Sequence, residues 1–453
     1  MYKKVLSLLL IILVHCTIAR AQWMPQTVES INLNWYISSI AAVNEDVIWA
    51  IADSNDFESP YNFTPKFLRT TNGGLTWKTG TVGSVKNTVL LDISAIDSNT
   101  AWVTANNMAG SGGIFKTTDG GVTWSIQDKQ ANILPVFIHF FDAQNGVQIN
   151  QAFIHTTNNG GTKWTRVQNI PPFLPNEYNI IVSSNNARAQ VGDTIWVGTS
   201  KGRVYRSTNR GQSWQVSQTG LGTNAVINSL AFKDGKNGLA VSTIDGNTFA
   251  IVANKMARTT DGGETWTTVA APTMPSAGAI TYVPGTADSY VLVSPTGPGA
   301  TPGSAYTNDG GMTWTVIDTI PYQSVAFIAP NIGWAGGDFV SASHSIMYKW
   351  VGTILNVTEG KGENVPHQCE LFQNYPNPFN SATTIEFALH KSAFVTLKVY
   401  NLLGEQVATL IAEQRTAGIH KFNWDARGLA SGVYLYRLEA EDFVAVKKLI
   451  LMQ

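Results

Sequence analysis

An eight-residue motif recurs along the chain and constrains its fold more than any other feature. Its clearest copy is TTNGGLTW at residues 70–77. Six copies follow the pattern Ser/Thr, any, Asp/Asn, any, Gly, any, Ser/Thr/Lys, Trp, and they end at Trp77, Trp124, Trp164, Trp214, Trp266 and Trp314. Successive Trp residues are 40 to 52 residues apart, which is close to the length of one four-stranded propeller blade. The spacing therefore predicts an all-β array of small sheets.

Each interval between motifs has the pattern of short strands separated by turns. In the second interval, residues 90–96, 101–105 and 114–117 are apolar-rich runs, and residues 97–100 are typical of a turn. A fourth strand that carries Trp124 completes the predicted sheet. The 40 Gly and 14 Trp residues of the whole chain agree with strands and tight turns rather than helices.

The chemistry of the motif explains its recurrence without a catalytic role. A side chain such as Asn72 or Asp119 can accept hydrogen bonds from the amides of its own turn, and Gly74 or Gly121 can adopt a positive φ there. The Trp then covers the hairpin. The residues assigned to this structural role at the Asp/Asn positions are Asn72, Asp119, Asn159, Asn209, Asp261 and Asp309.

These residues are similar to the Asp-box, or bacterial neuraminidase repeat. That repeat occurs in sialidases, sortilin-type receptors, xyloglucanases and photosystem II assembly-factor propellers. The resemblance implies a β-propeller over residues 22–353. It does not imply an activity, because one fold hosts many functions.

The ends of the repeat region predict how the propeller closes. Residues 325–328, 332–335 and 346–350 have the pattern of three strands without a fourth. Residues 23–31 match residues 77–85 in spacing, with Trp23 at the position of Trp77. We therefore expect the amino end to complete a seventh blade and remove the open sheet edges. The alternative is that Trp23 begins an irregular arm.

The first 21 residues have the pattern of a secretory signal peptide. Lys3 and Lys4 precede an apolar run at 5–14, and a small-x-small site predicts cleavage after Ala21. The run is too short for a membrane anchor, and the bulky residue before Cys16 argues against a lipoprotein. Cleavage would leave Cys369 as the only cysteine of the exported chain, without an internal disulfide.

A second domain follows the repeats. Residues 354–370 are typical of a linker, and residues 371–453 alternate as the strands of a small Ig-like β-sandwich. The motifs LFQNYPNPFN at 371–380, YNLLG at 400–404, AGIH at 417–420, LASGVY at 429–434 and KKLIL at 447–451 occur in order. They resemble the type A sorting domain of the type IX secretion system, although Ser381 stands where family members usually have Pro.

That resemblance implies export in a Bacteroidetes-type bacterium. The chain would pass through the periplasm, and the outer-membrane secretion machinery would recognise a sorting signal that includes Lys447 and Lys448. The cargo would end at the cell surface or outside the cell. The alternative is that the sandwich is a ligand-binding module.

Charge and motifs exclude several classes of partner. Charged residues make up 13% of the chain and the net charge is -1, so no basic surface for nucleic acid is expected. No stretch after the signal peptide is long enough to span a membrane. No motif typical of a metal, phosphate or hydrolase nucleophile site is present. We expect no cofactor and no metal.

Loop lengths suggest where a ligand binds. The Asp-boxes occupy the turns between the third and fourth strands, whereas long insertions at 53–66, 168–178, 244–255 and 294–304 fall at the opposite end of the blades. Loops on a rigid scaffold commonly carry binding residues. The candidate ligand contacts are the aromatic residues Phe57, Tyr61, Phe63, Phe173 and Tyr178. The alternative is that they form local loop cores.

The sequence favours a binding or scaffold protein with an unidentified protein or glycan ligand and no catalytic residue. The Phe/Tyr-Arg-Ile-Pro motif of sialidases is absent. The competing function is a polysaccharide-active glycoside hydrolase, which would need two carboxylates across a cleft. The carboxylates considered for it are Asp56, Glu58, Glu177 and Asp338.

Overall fold

The computed structural model describes residues 22–29, 35–54, 65–83, 88–107, 111–131, 135–150, 153–177, 186–245, 251–270, 274–338, 345–354, 369–389, 391–415, 418–441 and 443–452. The chain divides into two compact units, Met1–Thr358 and Glu359–Gln453. The described residues of both units form strands and turns but no helix, so the all-β prediction is confirmed. Within the described part of the chain, no helix meets the length and apolarity of a membrane span.

The strands of the first unit are short and follow one another closely. In chain order they are β1 (Trp23–Gln26), β2 (Trp35–Ala42), β3 (Ile48–Ser54), β4 (Lys66–Thr70), β5 (Lys78–Thr81), β6 (Thr88–Ala95), β7 (Ala101–Asn107), β8 (Ser111–Thr117), β9 (Ser125–Ala131), β10 (Pro135–Phe140), β11 (Gly146–Asn150), β12 (Ile154–Thr157), β13 (Thr165–Arg166), β14 (Arg188–Val191), β15 (Thr194–Gly198), β16 (Arg203–Ser207), β17 (Gln215–Gln218), β18 (Ala225–Val226), β19 (Ser229–Phe232), β20 (Gly238–Asp245), β21 (Ile251–Thr259), β22 (Thr267–Val269), β23 (Ala279–Tyr282), β24 (Tyr290–Ser294), β25 (Gly303–Thr307), β26 (Thr315–Asp318), β27 (Tyr322–Ala329), β28 (Ile332–Gly337) and β29 (Met347–Trp350).

These strands form seven antiparallel sheets among the described residues. Sheets 1 to 4 contain β2–β5, β6–β9, β10–β13 and β14–β17, and sheets 5 and 6 contain β18–β22 and β23–β26. Sheet 7 contains β27, β28, β29 and β1. We label the strands of each sheet A to D in this order, with β18 and β19 sharing position A in sheet 5. The predicted second unit is sheet 2, except that Trp124 precedes β9 instead of lying on it.

The amino end completes sheet 7, as the sequence predicts. Strand β1 pairs with β29, and Trp23 lies opposite Trp350. The Trp23 ring is 1% exposed and packs against the rings of Trp350, Tyr322 and Phe327. Its indole nitrogen donates a hydrogen bond to Ser304 at 3.1 Å. The alternative of an irregular amino-terminal arm is therefore wrong.

Buried apolar residues lie between neighbouring sheets rather than in one central core. One cluster joins sheets 1 and 2 through Trp49 and Val103, and similar clusters join each later pair. The last cluster joins sheet 7 to sheet 1 through Trp334 and Ile37. Most neighbouring A strands also contact each other, including β27 with β2. This circular order, with the A strands innermost, is typical of a β-propeller.

The second unit has two sheets that share one core. Its strands are β30 (Glu370–Leu371), β31 (Ala382–Leu389), β32 (Ala393–Tyr400), β33 (Gln406–Arg415), β34 (Gly418–Asp425), β35 (Gly432–Ala440) and β36 (Phe443–Leu451). The sheet orders are β30-β31-β34 and β33-β32-β35-β36. Val395, Leu397 and Val399 alternate into the core, as their spacing predicts.

The carboxyl-terminal strand is held by the segment that precedes β31. The side chain of Asn377 accepts a hydrogen bond from the Ile450 amide at 2.8 Å, and Phe379 exchanges backbone hydrogen bonds with the end of β36. Lys447 is half-buried and Lys448 is exposed on this strand. Residues 355–368 of the predicted linker and residues 1–21 of the predicted signal peptide lie outside the described residues.

Candidate functional site

The polar side chains of each Asp-box turn form hydrogen bonds within that turn. In sheet 2, the Thr123 amide and hydroxyl donate hydrogen bonds to the Asp119 carboxylate at 2.9 and 2.6 Å, and the Gly121 amide donates to the Thr117 hydroxyl at 2.9 Å. Gly121 has a φ of 81°, which L side chains rarely adopt. The bonds from Thr123 hold the pKa of Asp119 at about 2. Equivalent contacts recur in the other five turns.

The same turns also connect the sheets. The Gly120 amide donates to the carbonyl of Asn99 in the A–B turn of its own sheet, so the two kinds of turn lie at one end of the blades. The Trp102 indole of sheet 2 donates to the Gly160 carbonyl in the turn of sheet 3 at 3.0 Å. We call this the Asp-box end of the first unit. Its motif residues are occupied by contacts that hold the fold.

Most of the predicted ligand contacts lie outside the described residues. These are Phe57, Tyr61, Phe63 and Tyr178, together with the carboxylates Asp56 and Glu58. Phe173 is described and half-buried, and its ring packs 4.8 Å from the ring of Tyr205. This geometry favours the alternative of a local loop core for Phe173. The ligand assignment of the other four aromatic residues stays a prediction.

Glu177 fixes the insertion that precedes sheet 4. Its carboxylate forms a buried ion pair with Arg203 and accepts hydrogen bonds from the Thr199 hydroxyl at 2.6 Å and the Leu174 amide at 2.7 Å. Burial favours the protonated acid, but the bonds from Arg203 and Thr199 outweigh it and lower the pKa of Glu177. An ionised carboxylate with all these partners is suited to anchoring a loop rather than to transferring a proton.

Two further carboxylates lie near the start of the innermost strands. Asp338 accepts hydrogen bonds from the amide and hydroxyl of Thr296, both at 2.6 Å, and from Gln323 at 3.0 Å. Asp53 accepts from the Ser38 hydroxyl at 3.0 Å and from the Leu90 amide at 3.2 Å. Burial raises the pKa of Asp338, and burial raises the pKa of Asp53 to about 7.

The A strands surround a cavity of about 440 Å³ in the channel at the middle of the first unit, and this cavity is open to solvent. Six of the seven sheets contribute to its wall through β2, β10, β14, β19, β23 and β27. The wall includes residues next to the A–B turns, such as Val191, Lys233 and Pro284. The cavity therefore extends to the Asp-box end, opposite the long insertions.

Asn186 closes the inner end of this cavity. Its side-chain amide donates to the carbonyls of Gln323 in sheet 7 at 3.2 Å and Gly278 before sheet 6 at 3.4 Å. Its own carbonyl accepts the Leu230 amide of sheet 5 at 2.8 Å. One residue of the segment before β14 thus bonds to three other parts of the ring, and it forms a floor across the channel.

A buried ion pair lies beside this floor. The Arg188 guanidinium donates to the Asp92 carboxylate at 2.9 Å, and the two side chains are 20% and 0% exposed. Asp92 also accepts from the Ser39 hydroxyl and from the amides of Ile93 and Ile138. Burial raises the pKa of Asp92, and Arg188 together with these hydrogen bonds opposes that rise. The pair links sheet 4 to sheet 2 across sheet 3.

His139 forms part of the wall as an uncharged ring. Burial and the nearby Arg188 lower the pKa of His139 to about 3. Its Nε2 atom is buried and has no hydrogen-bond partner among the described residues. In the part of the chain that the structure describes, no three His, Cys, Asp or Glu side chains form a group that could hold a metal ion.

The motifs and insertions do not predict this channel site. A weak signal is present, because the predicted strand at 90–96 contains Asp92 among apolar residues and a charge inside an inner strand needs a partner. Its partner Arg188 is 96 residues away, and repeat spacing cannot pair the two.

Comparison with known families identifies both parts of the chain. Residues 373–452 match the model of the secretion system C-terminal sorting domain, and residues 70–257 match that of the photosynthesis system II assembly factor YCF48. The chain thus contains Asp-box repeats similar to those of β-propeller proteins, followed by a sorting domain. That domain indicates type IX export to the outer cell surface or the extracellular space in Bacteroidetes-type bacteria.

Individual relatives are distant. A xyloglucanase of Acetivibrio thermocellus is 24% identical over 240 residues, which are 44% of this chain and 28% of that enzyme, so the match spans less than a third of the relative. YCF48 bound to a D1 peptide has a TM-score of 0.53 at 16% identity and covers 73% of this chain and 97% of its own. The family 74 xyloglucanase of Xanthomonas campestris has a TM-score of 0.51 at 12% identity, and the match covers 81% of this chain and 59% of that enzyme. The last two similarities concern the fold alone.

Proposed function

We propose that the chain is an exported binding protein whose seven sheets are the blades of a closed propeller. In this proposal residues 1–21 are a signal peptide cleaved after Ala21, and residues 354–370 link the propeller to an Ig-like sorting domain. Lys447 and Lys448 belong to the sorting signal at its last strand. The propeller is the part that acts after export.

The observation that carries the proposal is the channel cavity. Its volume of about 440 Å³ lies within the range of small-molecule sites, roughly 300–1,000 Å³. The wall combines apolar side chains such as Ile40 and Val325 with a few polar ones such as Arg188 and Gln190. Convergent polar groups within an apolar wall are the usual composition of a binding site.

The alternative is a polysaccharide-active glycoside hydrolase, and one observation favours it. Asp53 has a pKa of about 7, as a general acid requires, and burial together with the charges of Asp53 and Asp338 raises the pKa of Tyr36. Against this, Asp53 is 2% exposed and accepts hydrogen bonds from Ser38 and Leu90, which fix it inside the fold. Similarity to a fragment of a xyloglucanase supports this alternative only as an analogy of fold.

A paired screen distinguishes the two functions. The purified chain is tested on glycan and peptide arrays, and the same preparation is incubated with soluble polysaccharides and assayed for new reducing ends. We expect retention on an array without release of reducing sugar. Release that disappears in Asp53→Asn, with the fold intact by circular dichroism, would instead establish the hydrolase.

A further inference from the structure

The charged side chains that line the channel cavity are all basic. Among the described lining residues these are Arg188 beside the floor and Lys233 at the rim, and no carboxylate lines the wall. Asp92, the acid that pairs with Arg188, is 0% exposed behind it, and Asp234, which follows Lys233 at the rim, does not line the cavity. His139 is uncharged at neutral pH. A ligand in this partly open cavity therefore meets Arg188 and Lys233 against a protein wall, where Coulomb interactions are stronger than in bulk water.

We propose that the cavity binds a small organic acid, with the ligand carboxylate directed toward Arg188 and Lys233. This inference rests on the proposed binding function and specifies its ligand class. A free carboxylate can come from a uronic acid or from the C-terminus of a peptide, and both present the same planar anion.

Arg188 is positioned before a ligand arrives. One N–H of its guanidinium donates to Asp92, and the group lies 5.0 Å from the centre of the Phe137 ring. Its other N–H groups make no further hydrogen bond among the described residues, and its side chain is 20% exposed. A guanidinium held in one orientation loses little entropy on binding, and its planar donors match the geometry of a carboxylate. Asp92 is thus a positioning residue for Arg188.

The remaining wall defines the other part of the ligand. Ile40 and Val325 come from sheets 1 and 7, line the channel and are half-buried, whereas the lining residues Leu230 and Ile280 pack mainly between sheets. Phe327 and Tyr282 lie nearer the A–B turns. These residues suit an apolar or ring-shaped body attached to the carboxylate. The Asn186 floor stops the ligand from passing through the channel, because its side chain bonds to the far side of the ring.

The test compares acids with their neutral amides. Glucuronate and glucuronamide form one pair, and acetyl-trialanine with a free or an amidated C-terminus forms the other, so the two arms separate a uronic acid from a peptide terminus. Isothermal titration calorimetry is performed on the purified full chain. We expect at least one acid to bind about tenfold or more tightly than its amide, since a difference of about 1.4 kcal/mol corresponds to that ratio.

Variants locate the binding. Lys233→Gln should weaken binding of the acid about fivefold and leave binding of the amide unchanged, because one charge near a partly solvated carboxylate contributes about 1 kcal/mol. Lys236→Gln is the matched control, since Lys236 is an exposed lysine in the adjoining A–B turn and does not line the cavity. Arg188→Lys keeps the charge opposite Asp92 and should weaken the acid by removing the planar donors.

Three results would overturn the inference. They are equal binding of acids and amides, absence of binding by every acid, and equal effects of Lys233→Gln and Lys236→Gln. Retention on an array that Lys233→Gln does not change would overturn the channel site and leave the binding function intact. Hydrolysis without retention would overturn the proposed function itself.

Discussion

The aspartates of the Asp-box turns and the buried aspartates on strands A and B, such as Asp92 and Asp53, have pKa values shifted in opposite directions from the ordinary value. Asp119 bonds to Thr123, four residues along its own turn, and its pKa is about 2. Asp53 is buried and bonds to Leu90 in the next sheet, and its pKa is about 7. The hydrogen bond from the amide four residues on recurs in every Asp-box, whereas each buried aspartate such as Asp53 has its own set of partners. Local, repeated contacts define the blades, and non-local contacts give the channel its individual chemistry.

The largest effect should come from removing the contact that joins the two ends of the first unit. Trp23→Ala deletes a ring that is 1% exposed and packed on three aromatic rings. We expect a loss of about 4 kcal/mol in the free energy of unfolding, as for other large-to-small core changes. Urea denaturation followed by Trp fluorescence measures it. Met24→Ala, at a neighbouring exposed position, is the control, and an equal loss there would contradict the closure of sheet 7 by β1.

Arg188→Ala should have the next largest effect, because it leaves Asp92 buried without its partner. We expect about 3 kcal/mol of destabilisation, the lower end for breaking a buried pair. Arg210→Ala breaks two ion pairs at the exposed Asp-box end and should cost much less. Adding Asp92→Asn to Arg188→Ala should recover part of the loss. If the double variant is less stable than Arg188→Ala alone, the buried charge is not the cause.

A pH dependence should distinguish the two kinds of aspartate. The native pKa of Asp53 is above the ordinary 3.8, so between pH 3.8 and about 7 the folded state holds a proton that the unfolded state releases. The stabilisation that protonated Asp53 contributes to the folded state is therefore lost as the pH rises from 3.8 to about 7. Asp53→Asn removes this titration. Between pH 5 and pH 7 the free energy of unfolding of the variant should therefore rise by about 2 kcal/mol relative to that of the unmodified chain, since each pKa unit corresponds to about 1.4 kcal/mol. Thermal unfolding at each pH gives the difference.

Asp119→Asn should have the smallest effect and provides the control for that pH series. Asn already occupies the same position in three Asp-boxes, at Asn72, Asn159 and Asn209, with the same bond to the amide four residues on. The melting temperature should change little, and its difference from the unmodified chain should stay flat from pH 5 to 7, because the pKa of Asp119 is about 2. Asp119→Ala should be less stable than Asp119→Asn. Equal melting temperatures for the two would show that the turn bond contributes nothing.

Sequence and structure agree where the contacts are local or follow from the repeat. The Trp spacing predicts the sheets, and the match of Trp23 to Trp77 predicts the pairing of β1 with β29, because a repeated pattern implies a repeated neighbour. The alternation of Val395, Leu397 and Val399 predicts the core of the second unit. Boundaries are less exact, as the position of Trp124 before β9 illustrates.

The channel site could not be predicted in the same way. Arg188 meets Asp92, and Asn186 meets Gln323, only because the ring brings distant sheets together. No repeat relates these residues, so their pairing follows from the closed arrangement and not from a local pattern. Loop length predicts a ligand site at the opposite end of the blades, where Phe173 packs on Tyr205 and Glu177 holds its loop to Arg203.

Diffraction from crystals of the chain soaked with 4-bromobenzoate tests the channel site most directly, because the bromine is located by its anomalous signal. A peak inside the channel, with the carboxylate facing Arg188 and Lys233, is the result expected. A peak found only among the insertions at the opposite end, or no peak at saturating concentration, would contradict the channel as the place where this protein holds its ligand.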